Sequence, residues 1–133
     1  MKDQVLTKQQ MEELIALGVS IESASMAERY DINGDFVEYV TSKSVSCNVG
    51  FIVPVFTVID MLELIPYFVT EDFEDYFYLH IEKLIDRYTC SYKAEGDYLA
   101  KGIRYLSECK LEKDAVYSTL IQLIQGGKLS KPK

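Results

Sequence analysis

The sequence predicts an α+β fold: an antiparallel sheet of hairpins with about three helices packed mainly on one face. Three observations carry that prediction. Residues 76–92 are rich in Tyr, Phe, Thr and Ile, and their side chains sort by strict alternation. Asn33-Gly34 is a strong two-residue hairpin turn. Several apolar stretches at helical spacing stand behind a threonine able to cap them or before a glycine able to stop them.

The first helix begins after Thr7, whose side chain can accept from the backbone while Gln10 reaches back, a Thr-x-x-Gln capping box. Met11, Leu14 and Ile15 form its apolar stripe. Gly18 suits a left-handed stop, with Val19 placed to touch Leu14 across it. A hairpin over residues 26–41 follows, with Arg29 opposite Glu38 and Tyr30 opposite Val37 in the two-residue register. Residues 42–49 read as a polar connection. Pro54-Val55-Phe56 then leads into Thr57, which starts a second helix with Asp60 completing the box. Val58, Ile59, Met61, Leu62, Leu64 and Ile65 leave only a narrow polar stripe at Asp60 and Glu63, the pattern of a mostly buried helix. Pro66 stops it by Ile65.

The next hairpin folds about the Leu84–Ile85 bond. One face collects Phe77, Leu79 and Ile81 opposite Tyr92, Cys90 and Tyr88. The other collects Tyr78, His80 and Glu82 opposite Ser91, Thr89 and Arg87. Successive strand side chains point to opposite faces, so His80 faces outward and Cys90 inward. Phe77, Ile81, Leu84, Ile85 and Tyr88 also recur at helical spacing. The strand reading is preferred because the polar set sorts too, and a helix leaves Leu79 and Cys90 unexplained. Glu95-Gly96-Asp97 turns the chain into a third strand through residues 98–105, with Leu99 and Ile103 beside Tyr92 and Tyr88. A final helix from Glu112 presents Val116, Leu120, Leu123 and Ile124 and stops at Gly126-Gly127. Residues 1–127 read as one domain and 128–133 as a basic, flexible tail.

At 133 residues the chain is long enough to bury a core without staples. Cys47, Cys90 and Cys109 are odd in number and widely spaced, which predicts reduced thiols in a cytoplasmic protein. Met1-Lys2-Asp3-Gln4 leads into no apolar run, so no secretory signal is expected. Residues 49–69 are predominantly apolar but hold Asp60 and Glu63 near the middle. An acidic residue at the centre of a span costs roughly 2.5–3.5 kcal/mol, which argues for a buried segment and against a membrane helix.

Charge is segregated. Between Lys43 and Lys83 there is no lysine or arginine, while Asp60, Glu63, Glu71, Asp72, Glu74, Asp75 and Glu82 fall inside; those seven acids equal the net charge of −7 for the whole chain. Phosphate backbones find little to hold them here, so no nucleic-acid partner is expected.

Asp31-Ile32-Asn33-Gly34-Asp35 imitates the opening of a calcium loop. Its sixth position is Phe36 where glycine belongs, and its twelfth is Ser42 where a bidentate glutamate belongs, so a hairpin turn is the better reading. Glu71-Asp72-Phe73-Glu74-Asp75 packs carboxylates around an aromatic and is the candidate partner-binding run, weighed against a solvated loop. Because His80 and Cys90 point to opposite faces they form no dyad, and Cys90 reads as a packing residue. His80, Glu82 and Arg87 read as a surface polar ladder. No glycine-rich phosphate loop or serine nucleophile elbow is present. The tyrosines read as strand and core residues and not as a base-stacking platform. No catalytic residue, metal ligand or cofactor is assigned.

The order of motifs resembles a known family. Leu14-Ile15-Ala16-Leu17-Gly18-Val19, then Ala24-Ser25-Met26, then Pro54-Val55-Phe56-Thr57-Val58-Ile59-Asp60-Met61-Leu62-Glu63-Leu64-Ile65-Pro66 look like a family of small uncharacterised proteins of Bacteroides-type gut bacteria, often encoded near phage or other mobile-element genes. The later hairpin and the Asp114-Ala115-Val116-Tyr117 helix fit the same layout. The chain has no tryptophan, which that pattern would place in the hairpin or the last helix. The family has no established activity, so the resemblance implies no catalytic residue.

Two functional expectations follow. The first is a non-enzymatic interaction or accessory module with a basic protein partner, or one that associates with itself. The alternative is a small enzyme or ligand-binding domain using carboxylates such as Asp60, Glu63 or the 71–75 run.

Overall fold

The computed structural model describes residues 2–42, 50–71, 75–94 and 102–129, except for the side chains of Glu71 and Asp75. Among these residues the chain forms α1 (Lys8–Ala16), β1 (Met26–Tyr30), β2 (Phe36–Thr41), β3 (Phe51–Val55), α2 (Val58–Leu64), β4 (Phe68–Glu71), β5 (Asp75–Lys83), β6 (Tyr88–Ala94), β7 (Ile103–Cys109) and α3 (Glu112–Gln125). The α+β class stands, with its strands in two antiparallel sheets ordered β2-β1-β3 and β4-β5-β6-β7. The chain divides into two compact units, one up to Asp60 and one from Met61 onward.

In the first unit the capping box of α1 closes as its sequence requires. The Thr7 N–H donates to Gln10 Oε1 at 2.9 Å, and the Gln10 N–H donates to Thr7 Oγ1 at 3.2 Å. At the other end Gly18 takes φ +91°, the Val19 N–H reaches the Leu14 carbonyl at 3.0 Å and the Gly18 N–H reaches that of Ile15 at 3.0 Å. This paired closure satisfies carbonyls that the helix itself leaves open. Met11 and Leu14 are buried, but Ile15 is 50% exposed, so the stripe is narrower than its spacing predicts.

Strand β1 lies between its two neighbours. Arg29 pairs with Glu38 as expected, whereas Tyr30 sits opposite Phe36 and not Val37, because a bulge interrupts the register between Arg29 and Tyr30. The turn is fastened by Asp31, whose Oδ1 accepts from the N–H groups of Asn33 at 2.9 Å and Asp35 at 3.0 Å, while Gly34 supplies φ +83°. Strand β3 runs along the other side of β1, and Pro54 falls on this edge strand, where a missing N–H is tolerated. Gly50 precedes it at φ +95°, and a Cβ there would lie 2.1 Å from the Tyr30 carbonyl oxygen. The segment before α1 returns to the end of β3: Leu6 N–H donates to the Phe56 carbonyl at 2.9 Å, and the Phe56 N–H donates to Met11 Sδ at 3.3 Å. Val5, Leu6, Met11, Leu14, Ala24, Ala27, Val55 and Phe56 are its buried apolar residues.

The second unit contains the hairpin read from residues 76–92, now seen as strands β5 and β6. Its faces are as predicted and its register is not. Phe77 pairs with Ala94, Leu79 with Tyr92, Ile81 with Cys90 and Lys83 with Tyr88, a slip of two residues from the register expected. The turn is therefore longer, spanning residues 84–87 and closed by the Leu84 N–H on the Arg87 carbonyl at 2.7 Å. A slip of two keeps every side chain on its face, which is why Phe77, Cys90 and Tyr92 are still fully buried.

Strand β4 was not foreseen. It pairs with β5 from Phe68↔Tyr78 to Glu71↔Asp75. Of the strand expected over residues 98–105, Ile103 pairs with Lys93 and Arg104 with Tyr92 in β7, while residues 98–101, Leu99 among them, lie outside the described residues. An extra residue in β7 opposite Ser91 forms a bulge, and Tyr105 there takes φ +56°, a backbone region that side chains disfavour.

Helix α3 packs on β6 and β7. It has no side-chain cap at Leu111, yet Ala115, Val116, Leu120 and Leu123 are all fully buried. Its end repeats the closure of α1, with Lys128 N–H on the Leu123 carbonyl at 2.9 Å and Gly127 N–H on that of Ile124 at 3.1 Å. Thr119 holds the strained bulge. Its hydroxyl lies 2.8 Å from the Tyr105 carbonyl and 3.1 Å from both the Cys90 carbonyl and Ser107 Oγ, and Gln122 Nε2 donates to Ser107 Oγ at 2.9 Å. A hydroxyl carries one proton, so Thr119 donates to the nearest of these acceptors, the Tyr105 carbonyl, while Gln122 donates to Ser107.

Candidate functional site

The polar residues singled out by sequence are mostly engaged in holding the fold. Asp60 is the clearest case. It is 4% exposed, and its Oδ2 accepts from the N–H of Thr57, the N–H of Ser25 and the Ser25 hydroxyl, each at 3.0 Å. The Asp60 N–H in turn donates to Thr57 Oγ1 at 3.2 Å, so the predicted second capping box is present and extended by Ser25. Glu63, one turn on, is exposed. The two carboxylates do not converge. Ile59 beside them is 67% exposed, against the expectation of a mostly buried helix.

Asp31 gives its carboxylate to its own turn, which removes the leading oxygen of the imitation calcium loop. Among the described residues no group of three His, Cys, Asp or Glu is arranged to hold a metal ion, and no buried side-chain nitrogen or oxygen lacks a hydrogen-bond partner.

Cys90 and His80 are separated as their alternation requires. Cys90 is fully buried, and burial pushes its thiol up, away from the reactive thiolate. Beside it Tyr92 is also fully buried; burial, then the neighbouring Cys90 and Tyr105, push its phenol far up, and its hydroxyl donates to the Pro66 carbonyl at 2.5 Å. His80 is exposed on the opposite face.

The polar ladder has other partners than those expected. Lys93 Nζ donates to Glu82 Oε1 at 2.6 Å, and that bond, then the Lys93 charge, holds the Glu82 carboxyl below its usual range. Arg87 pairs instead with Glu108 at 2.8 Å. Lys93 is opposite Tyr78, so its side chain runs along the face past the His80–Ser91 pair to reach Glu82. Ser91 is 1% exposed although it belongs to that open face. The slip of two residues is what brings Lys93 into the hairpin, and alternation alone carries no signal of it.

The candidate run 71–75 joins β4 to β5 in sequence, and its described residues are the tip pair of that hairpin. Glu71 and Asp75 are its closing pair, and Asp72, Phe73 and Glu74 lie outside the described residues. The strands behind that tip carry a cluster the sequence reading missed. Phe68 meets Tyr76 at 5.4 Å and Tyr78 at 6.2 Å between ring centroids, and Tyr67 meets Tyr78 edge-on at 6.3 Å. Tyr67 is 79% exposed, and Phe68 and Tyr76 are about half exposed. The signal was available: Tyr67 and Phe68 stand before the acidic run and Tyr76 and Tyr78 after it, and folding the run as a hairpin brings Phe68 opposite Tyr78.

Large rings gathered on an open surface favour recognition by contact, since they offer rigid area at little entropic cost. No helix is long and apolar enough to cross a membrane among the described residues. No family model, no curated protein and no solved structure matches the chain.

Proposed function

We propose that the protein is a non-enzymatic interaction module that docks a basic protein partner through the β4–β5 hairpin. The observation that carries this reading is the cluster of exposed Tyr67, Phe68 and Tyr76 around half-buried Tyr78, on and just before strands whose last pair is Glu71 and Asp75. Aromatic rings supply contact area, and the acids of residues 71–75 steer a basic surface toward them. The alternative of carboxylate chemistry gains no support from Asp60, whose oxygen already accepts three bonds. The same proposal places the protein in the cytoplasm, without a nucleic-acid partner, and among the mobile-element proteins that its Pro54–Pro66 run resembles.

The test is capture from host lysate at low and moderate salt, followed by association kinetics with the protein recovered. Replacing Asp72→Lys and Glu74→Lys together is expected to slow association and flatten its salt dependence while the thermal midpoint stays near wild type. A captured partner whose binding is indifferent to both replacements would reduce the run to a solvated tip.

A further inference from the structure

The first unit has its own aromatic surface, built differently. Phe51 stacks on Tyr30 at 5.1 Å with rings 14° from parallel, Tyr30 meets Phe36 edge-on at 6.0 Å, and Phe36 meets Tyr39 at 4.9 Å. These rings form one continuous row across all three strands. Phe36 is 47% and Phe51 51% exposed, and Tyr30 and Tyr39 between and beside them are half-buried.

A carboxylate sits within the row. Glu28 is two residues before Tyr30 on β1 and directly opposite Tyr39 on β2, so alternation puts all three on one face. Its charge raises both phenols, behind the larger effect of burial, and it shares a hydrogen bond with the Tyr30 side chain. The only cation on β1, β2 or β3 is Arg29, which alternates to the opposite face and is bonded to Glu38 by Nε at 3.0 Å. The aromatic face is thus acidic and has no cation from its own strands.

We propose that this face, centred on Glu28 and flanked by Tyr30, Phe36, Tyr39 and Phe51, binds an arginine side chain of a basic peptide segment. The chemistry selects arginine in two ways. A planar guanidinium lies flat against ring faces, and its fork of N–H donors matches a carboxylate, whereas a lysine ammonium does neither as well. Charge complementarity commits the surface to a cationic occupant and not to a second copy, whose matching face would bring Glu28 against Glu28. The site shares no residue with the β4–β5 hairpin and stands or falls independently of that proposal.

The experiment titrates a fluorescein-labelled peptide of alternating glycine and arginine into the full chain at low salt, read by fluorescence anisotropy. The lysine counterpart is expected to bind about threefold more weakly. Glu28→Gln and Phe51→Leu are each expected to weaken the arginine peptide about threefold or more. Asp72→Lys with Glu74→Lys should leave the loss in those variants unchanged. Because Glu28→Gln is nearly isosteric, it tests the site even where Phe51→Leu loosens the sheet. The proposal is overturned if wild type does not bind, or if Glu28→Gln and Phe51→Leu both bind as wild type does. It is also overturned if only the hairpin variant loses the peptide. Concentration-dependent dimerisation without peptide, abolished by Phe51→Leu, would assign the face to a second copy and overturn it equally.

Discussion

The hairpin of β1 and β2 and the hairpin of β5 and β6 are held by opposite means. The first is fastened at its turn: Asp31 accepts two backbone N–H groups, Gly34 supplies the positive φ, and no residue of β2 is buried. The second is fastened along its face: Phe77, Cys90 and Tyr92 are fully buried, whereas Ile85 in its turn is fully exposed. A turn fixes which residues pair near it, and a buried face fixes only which way each side chain points. The difference predicts where each hairpin is vulnerable.

The largest effect belongs to the buried face. Phe77→Ala should cost about 3–5 kcal/mol in chemical denaturation, because it opens a cavity in a site with no exposure. A smaller loss there would mean that the face does not carry the hairpin. Next comes the network that seats α3 on β6 and β7. Thr119→Val keeps the shape and removes the donor to the Tyr105 carbonyl, which should cost about 1–3 kcal/mol and lower the thermal midpoint. In the first hairpin, Gly34→Ala forces a side chain into φ +83° and should cost about 1–2 kcal/mol. The matching change in the second turn, Ile85→Ser, should stay within about 0.5 kcal/mol. Equal sensitivity of the two turns would erase the contrast.

The smallest effect is a titration. The Glu82 carboxyl is held below its usual range by Lys93, so its contribution is present above the unfolded pKa and fades as pH falls through the lowered folded one. Carboxyl NMR should show the Glu82 midpoint below the ordinary carboxylate range in wild type and higher in Lys93→Gln. An unchanged midpoint would remove Lys93 from the ladder.

Local chemistry was legible in the sequence, and long-range registration was not. Thr7 with Gln10, Thr57 with Asp60, Gly18 and Gly127 act through neighbours a few residues away, and each does what its spacing predicts. Gly34 marks its turn, but that turn holds three residues between Asp31 and Asp35 and not two. Leu79, His80 and Cys90 keep their predicted faces because alternation has period two. That same period is blind to a slip of two, so Tyr92 was paired with Phe77 when it lies opposite Leu79. Strand β4 escaped because Phe68-Val69-Thr70 is short and runs straight into acids that read as loop. Thr119 could not be found at all: its role depends on a bulge in another strand, at Tyr105. Of the candidate site, the acidic tip was legible as composition, and the rings behind it became a cluster only once β4 paired with β5.

Strand β5 belongs both to the face-held hairpin and to the β4–β5 surface proposed to bind, so a rigid face would hold Tyr76 and Tyr78 in place for a partner. Native-state hydrogen exchange of single backbone amides tests that rigidity most directly. The account predicts that the interstrand amides of β5 and β6 exchange only through global unfolding, with free energies of opening that match denaturant stability. Those of β1 and β2 should open locally, and Asp31→Ala should accelerate them alone. Exchange of β5 and β6 as fast as that of β1 and β2, or an Asp31→Ala effect spread equally over both hairpins, would contradict it.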